Sequence, residues 1–221
     1  NNYFFIMINT VKLGDFIKVY DNTLTDSFCK SVCVKMDDDN RKKLGVMDRD
    51  KKVDITRKTS LDLHISSKSD WKYEDGVFFD SLTKYHKKYR DDLEATTGSS
   101  YGDYASSDDD FSDTGYQVKM YEPDGFYTWH DDYMIDAYAG VRVLTYIWYL
   151  NDDFDEGETE FYDGTIIKPK TGRMVFFPAT WLYVHRGRTV KNNKKFIATG
   201  WFFHQHPYTK ECLDRYRNKV F

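Results

Sequence analysis

Between Tyr116 and Phe203 the sequence breaks into eight short apolar or alternating runs, with no helical period between them. They are Tyr116–Tyr121, Phe126–His130, Val141–Leu150, Glu158–Tyr162, Thr165–Lys168, Arg173–Phe177, Leu182–His185 and Lys195–Phe203. The breaks carry turn chemistry: Pro123-Asp124-Gly125, Asn151-Asp152-Asp153, Asp163-Gly164, Pro169 through Gly172, and Asn192-Asn193. So many short strands in succession close only as a sandwich or barrel. No internal repeat of fixed period is present.

The first half reads differently. Phe16–Tyr20 alternates like a strand, and Thr25 or Asp26 is placed to cap a helix running to about Met36. Residues 40–60 are charged and weakly patterned, which predicts a loop. Phe78, Leu82, Tyr85, Tyr89 and Leu93 recur at spacings of three and four, an amphipathic helix within Trp71–Ala95 that Gly98 is placed to end. From Gly98 to Thr114 the chain is rich in Gly, Ser and Asp, which predicts a mobile acidic loop with the character of a lid. The expectation is one domain, mainly β within an α+β class. Residues 1–97 form a supporting region with flanking helices, 98–115 the loop, 116–203 the β core and 204–221 a tail.

Composition narrows the function. Sixteen Phe, eighteen Tyr and five Trp are enough for a packed core and exclude whole-chain disorder. The formal net charge of −4 makes nucleic acid or an anionic membrane a poor partner, so neither is expected. The longest apolar-looking run, Val143–Leu150, is too short to span a bilayer. The start, Asn1–Val11, lacks the basic stretch and cleavage site of a signal peptide. Three cysteines, Cys29, Cys33 and Cys212, are too few for a disulfide scaffold, and a reducing cytoplasm is the default expectation.

The chemistry lies in the second half. Of six histidines, only His130 has an aspartate two positions on, Asp132. On a strand these two side chains share a face and can converge on one ion. His185, at the end of an apolar strand, is the candidate third ligand. Two histidines and one carboxylate that leave positions open are the ligand set of non-haem Fe(II) oxygenases. Ten residues on, Lys195 opens a strand and shares a face with Ile197, Thr199 and Trp201. A lysine turned into a barrel is costly unless it meets an anion. A metal with open positions beside such a lysine suits 2-oxoglutarate, a chelating keto acid with a distant carboxylate.

At these residues the region 116–203 resembles the 2-oxoglutarate- and Fe(II)-dependent dioxygenases of the prolyl 4-hydroxylase type. Tyr121 followed by Gly125, Tyr127, His130 and Asp132 is similar to that family's tyrosine-to-iron strand. Arg142 through Thr145, leading to Tyr149-Leu150-Asn151, is similar to its next strand and turn. Glu156-Gly157-Glu158-Thr159-Glu160-Phe161 resembles its Gly-Gly-Glu-Thr-x-Phe segment, with Glu156 in place of the first glycine. His185, Lys195 and Trp201 keep the family's spacing.

The resemblance implies a double-stranded β-helix, or jelly roll. His130, Asp132 and His185 would hold Fe(II), and Lys195 would bind the distal carboxylate of 2-oxoglutarate. Tyr149 and Thr199 would add hydroxyl contacts, Tyr121 would line the pocket, and Arg142 would sit on the substrate side of the iron. The implied reaction consumes O2 and 2-oxoglutarate, with ascorbate as a candidate reductant, and hydroxylates an unactivated C–H, foremost that of a peptidyl proline. The alternatives are a hydroxylase of a free amino acid or other small molecule, and a jelly-roll binding module without activity.

Overall fold

The computed structural model describes residues 12–47, 52–98, 111–136 and 140–204. Most of the expected acidic lid and tail lies outside these residues.

Both predicted helices form. The first, α1, spans Asp26–Asp38, and the Thr25 hydroxyl accepts the Phe28 amide at 3.3 Å. That bond satisfies one of the orphan donors of the first turn. Thr25→Ala is expected to destabilise the protein by about 1 kcal/mol, measured by denaturant unfolding. The second, α2, spans Lys72–Thr97 and ends on Gly98 at φ 69°, the left-handed geometry that glycine adopts without cost.

The β core is two facing antiparallel sheets with a small two-stranded pair beside them. The larger sheet runs from Lys18–Tyr20 through Arg173–Pro178, Gly140–Tyr149, Lys195–His204, Gln117–Tyr121 and Leu61–His64 to Lys43–Leu44. The smaller runs from Ile166–Ile167 through Thr159–Phe161 and His185–Gly187 to Tyr127–His130. This is the jelly roll expected from the sequence.

Strand alternation sorts the large sheet into two environments. Tyr146 and Trp148, Ala198 and Phe202, and Val118 and Met120 pack with Val32, Met36, Phe78 and Leu82 of the two helices. Their alternates, Ile147 and Tyr149, Ile197, and Tyr121, turn to the second sheet and pack with Phe161, Ile167 and Tyr183. Each buried side chain of this size contributes about 1.5–3 kcal/mol relative to exposure. The helices therefore hold one face of the sheet rigid, and the opposite face is left to build a site.

Several predicted elements shift. The strand read over Phe16–Tyr20 is Lys18–Tyr20, preceded by a 3-10 turn at Leu13–Phe16. Leu61–His64 is a strand, although the residues before it read as featureless, and Asp62 pairs with Lys119 in the ladder. Residues 111–113, at the end of the expected loop, form a strand against Phe202–His204. Leu182–Val184 is not a strand: the Tyr183 amide donates to the Thr180 carbonyl in a turn, and Leu182 is exposed. His185 consequently opens the strand His185–Gly187 rather than closing one.

Candidate metal centre and adjoining cavity

His130 and His185 are directly paired across the antiparallel ladder of the smaller sheet, with ring centroids 4.2 Å apart. Each Nδ1 faces a backbone carbonyl two residues earlier: His130 to Thr128 at 2.8 Å and His185 to Tyr183 at 2.9 Å. A carbonyl can only accept, so Nδ1 carries the proton in both rings. Both Nε2 lone pairs are thereby left for a shared ion.

Asp132 corrects the sequence argument. It lies beyond the strand Tyr127–His130, so strand alternation does not place it. The irregular segment after His130 does, and Thr145 anchors it by donating to Oδ2 at 2.8 Å. Oδ2 lies 3.9 Å from His185 Nε2. One potential ligand atom from each of the three residues lies within 4.8 Å of the others. Metal–nitrogen and metal–oxygen bonds of about 2.0–2.2 Å close such a gap with slight side-chain movement. The residues fit a divalent ion.

The electrostatics agree. Burial holds the His130 pKa well below the usual imidazole value, and His185 pushes it the same way, so His130 presents a neutral lone pair. Burial alone would raise the Asp132 pKa, but His185, His130 and Arg142 outweigh it and hold the carboxylate ionised. Tyr127 stacks on His130 at 3.5 Å and Phe177 packs edge-on to His185 at 4.8 Å, which fixes both rings. Thr145→Val removes the hydroxyl that orients Asp132. Metal affinity is expected to fall about 10- to 100-fold, measured by metal titration, with the fold unchanged.

The three side chains open on a cavity of about 570 Å³. Lys195 lines it, only 3% exposed, with Nζ donating to the Gly157 carbonyl at 2.6 Å. Burial pushes its pKa down to about 8, partly opposed by Glu158. Its neighbour Lys194 points outward to Asp37 at 2.6 Å, so the predicted strand parity holds. Gly157 and Glu156 both take left-handed φ angles, 69° and 58°. The glutamate thus occupies a conformation that favours glycine, at the position where the sequence departs from the family's Gly-Gly pattern.

The remaining predicted residues divide. Tyr121 lines the cavity, with its ring centroid 5.5 Å from Lys195 Nζ. Thr199 lines it too, but its hydroxyl donates to the Tyr146 carbonyl at 2.8 Å. Tyr149 is fully buried and is not among the lining side chains. Its hydroxyl is bonded to Thr159 Oγ1 at 2.6 Å, and Thr159 supplies the hydroxyl at the wall. Arg142 lines the cavity with its guanidinium 3.8 Å from the Trp201 ring centroid. Sequence reasoning missed Thr145, Thr159 and Lys119. Lys119 was within reach, because it lies two residues before Tyr121 on one strand and must share its face.

A jelly roll with a two-histidine, one-carboxylate cluster facing a buried lysine defines the architecture of a non-haem metal oxygenase. Residues 116–203 match the family model of the 2OG-Fe(II) oxygenase superfamily. Over 110 residues the chain is 34% identical to prolyl 4-hydroxylase 1 of Arabidopsis thaliana, covering 38% of this chain and 39% of that protein. A putative prolyl 4-hydroxylase of Acanthamoeba polyphaga mimivirus is 34% identical over 104 residues, covering 39% of this chain and 43% of the relative. The chain thus spans about two fifths of the length of these curated relatives. Among solved structures, a viral collagen prolyl hydroxylase from Paramecium bursaria Chlorella virus-1 superposes with a TM-score of 0.57 at 21% identity. The superposition covers 85% of this chain and 95% of that one. A Trichoplax adhaerens prolyl hydroxylase superposes with a TM-score of 0.63 at 15% identity, over 90% and 87% of the two chains. Residues 116–203 are thus similar to the 2OG-Fe(II) oxygenase superfamily, and the curated relatives that share this stretch are prolyl 4-hydroxylases.

Proposed function

We propose that this protein is an Fe(II)- and 2-oxoglutarate-dependent oxygenase that hydroxylates a prolyl residue of a polypeptide. One observation carries the reading: His130, Asp132 and His185 share a cavity with the buried Lys195. Iron(II), 2-oxoglutarate and O2 together supply the oxidising power for an unactivated C–H, with succinate and CO2 as co-products.

The chain's own residues do the rest. His130 and His185 would each offer an Nε2 and Asp132 a carboxylate oxygen to the ion, a ligand set that would leave room for the cosubstrate. Lys195 receives the distal carboxylate, exchanging or sharing its bond to the Gly157 carbonyl. Thr159 and Tyr121 line the same part of the wall, and Phe161 and Phe177 behind His185 exclude water.

The cavity opens past exposed Val46, Arg57, Asp131 and Tyr133, a rim over which an extended peptide can lie. The Trichoplax structural neighbour was solved with a peptide fragment of hypoxia inducible factor, and both curated relatives are described as prolyl 4-hydroxylases. These observations support a peptide substrate. The test is to incubate the protein with Fe(II), 2-oxoglutarate and a panel of proline-containing peptides and free amino acids. The expected product gains one oxygen on a peptidyl proline, with succinate released in equal amount. Hydroxylation of free amino acids alone would remove the peptidyl part of the reading.

A further inference from the structure

Five cationic side chains line the cavity against three carboxylates, in a chain whose net charge is −4. A divalent ion and a dicarboxylate carry equal and opposite charge, so filling the site with both leaves this excess in place. Lys58 is matched, because it ion-pairs with Asp62 at 2.8 Å. Lys195 holds the Gly157 carbonyl and faces the proposed cosubstrate. Lys119 is different. It is 6% exposed and lines the cavity. Among the described residues no carboxylate lies within ion-pair distance of it. Asp62, its partner across the ladder, is occupied by Lys58 and by the Ser60 hydroxyl at 2.7 Å. Its ammonium faces the Trp201 ring, with Nζ 5.5 Å from the centroid. Arg142 stacks on the same ring. Two cationic groups therefore converge on one aromatic surface beside the metal ligands.

An ammonium group taken out of water costs several kcal/mol unless an anion compensates it. Lys195 has such an anion in the proposed cosubstrate. We infer that Lys119 receives a carboxylate of the primary substrate, carried beside the carbon to be hydroxylated. The inference rests on the oxygenase reading and narrows it: the substrate is anionic near its reacting residue. An acidic side chain next to the target proline and a free α-carboxylate offer the same chemistry.

The test uses the full protein loaded anaerobically with Fe(II) and 2-oxoglutarate. Three short peptides with blocked amino ends are titrated calorimetrically. One has Pro-Asp within the chain and an amidated end, the second replaces Asp with Asn, and the third is the Asn peptide with a free terminal carboxylate after proline. A charge-assisted hydrogen bond predicts at least roughly tenfold tighter binding of a carboxylate peptide than of the neutral one. Preference for the first peptide identifies a side-chain source, and preference for the third identifies a chain end or free amino acid. Lys119→Met should erase the preference while binding 2-oxoglutarate as the wild type does, and Lys119→Arg should retain it. Equal binding of all three peptides, binding of none, or a preference that survives Lys119→Met would overturn the inference. Succinate release by the wild type reports on the oxygenase reading separately. Its absence would sink that reading whatever the peptides do, and its presence without a charge preference would sink only the role of Lys119.

Discussion

Replacing His130, Asp132 or His185 with alanine is expected to abolish 2-oxoglutarate turnover. The three side chains contribute the only group of His, Cys, Asp or Glu atoms with metal-holding geometry among the described residues. Changes to residues that only orient a metal's ligands cost about 10- to 100-fold, so losing one of three ligands costs far more. The fold should persist. The helix-facing core contains none of these residues, and Asp132→Ala removes a charge that His185, His130 and Arg142 hold in place. Metal titration and succinate release measure the loss, and thermal unfolding measures the fold. Wild-type succinate production by any one variant would remove that residue from the centre.

Lys195→Ala is expected to weaken 2-oxoglutarate binding about 10- to 150-fold, the worth of one charge-assisted hydrogen bond at roughly 1.5–3 kcal/mol. Metal binding should survive, because Lys195 is not a ligand. Lys194→Ala is the control: its side chain points outward to Asp37 and Glu122, and affinity should not change. The same lysine predicts a pH dependence. Burial lowers its pKa to about 8 in the free protein. Below that value the ammonium is present to meet the carboxylate. As pH rises through 8 the free protein loses this proton and must recover it to bind, so cosubstrate affinity falls. The sign also fixes a stability effect. Between about 8 and the usual lysine value the unfolded chain holds a proton that the folded one has released, so this group stabilises the fold as pH rises across that window. Calorimetric titration at pH 7 and pH 9 tests the binding trend, and loss of the trend in Lys195→Ala assigns it.

Much of this site could be read from residue order. A sandwich or barrel followed from eight short runs with turn chemistry between them, the jelly roll only from the family resemblance, and strand alternation put Lys195, Ile197 and Thr199 on the inner face, where three of the four residues Lys195, Ile197, Thr199 and Trp201 are buried. What was not legible depended on register and turns. Asp132 joins the cluster from the loop after its strand, and His185 begins a strand instead of ending one; spacing named three residues that the structure brings together despite the wrong local geometry. The bond from Tyr149 to Thr159 joins two different sheets, and no local pattern encodes that meeting. Leu61–His64 escaped because four residues, one of them fully inward, carry too little alternation to stand out beside a charged stretch. Lys119 illustrates the opposite case: alternation alone places it beside Tyr121, and only the structure shows that it lines the cavity with no carboxylate of the described residues within ion-pair distance.

The most direct test of the central claim is anaerobic titration of the protein with Fe(II) and then 2-oxoglutarate, followed by visible absorption. Chelation of a keto acid by iron held in a two-histidine, one-carboxylate site predicts a weak charge-transfer band that saturates at one equivalent per chain. The band should be missing in His130→Ala and should need far more 2-oxoglutarate in Lys195→Ala. A wild-type protein that takes up iron without developing the band, or that binds no iron, would contradict the account.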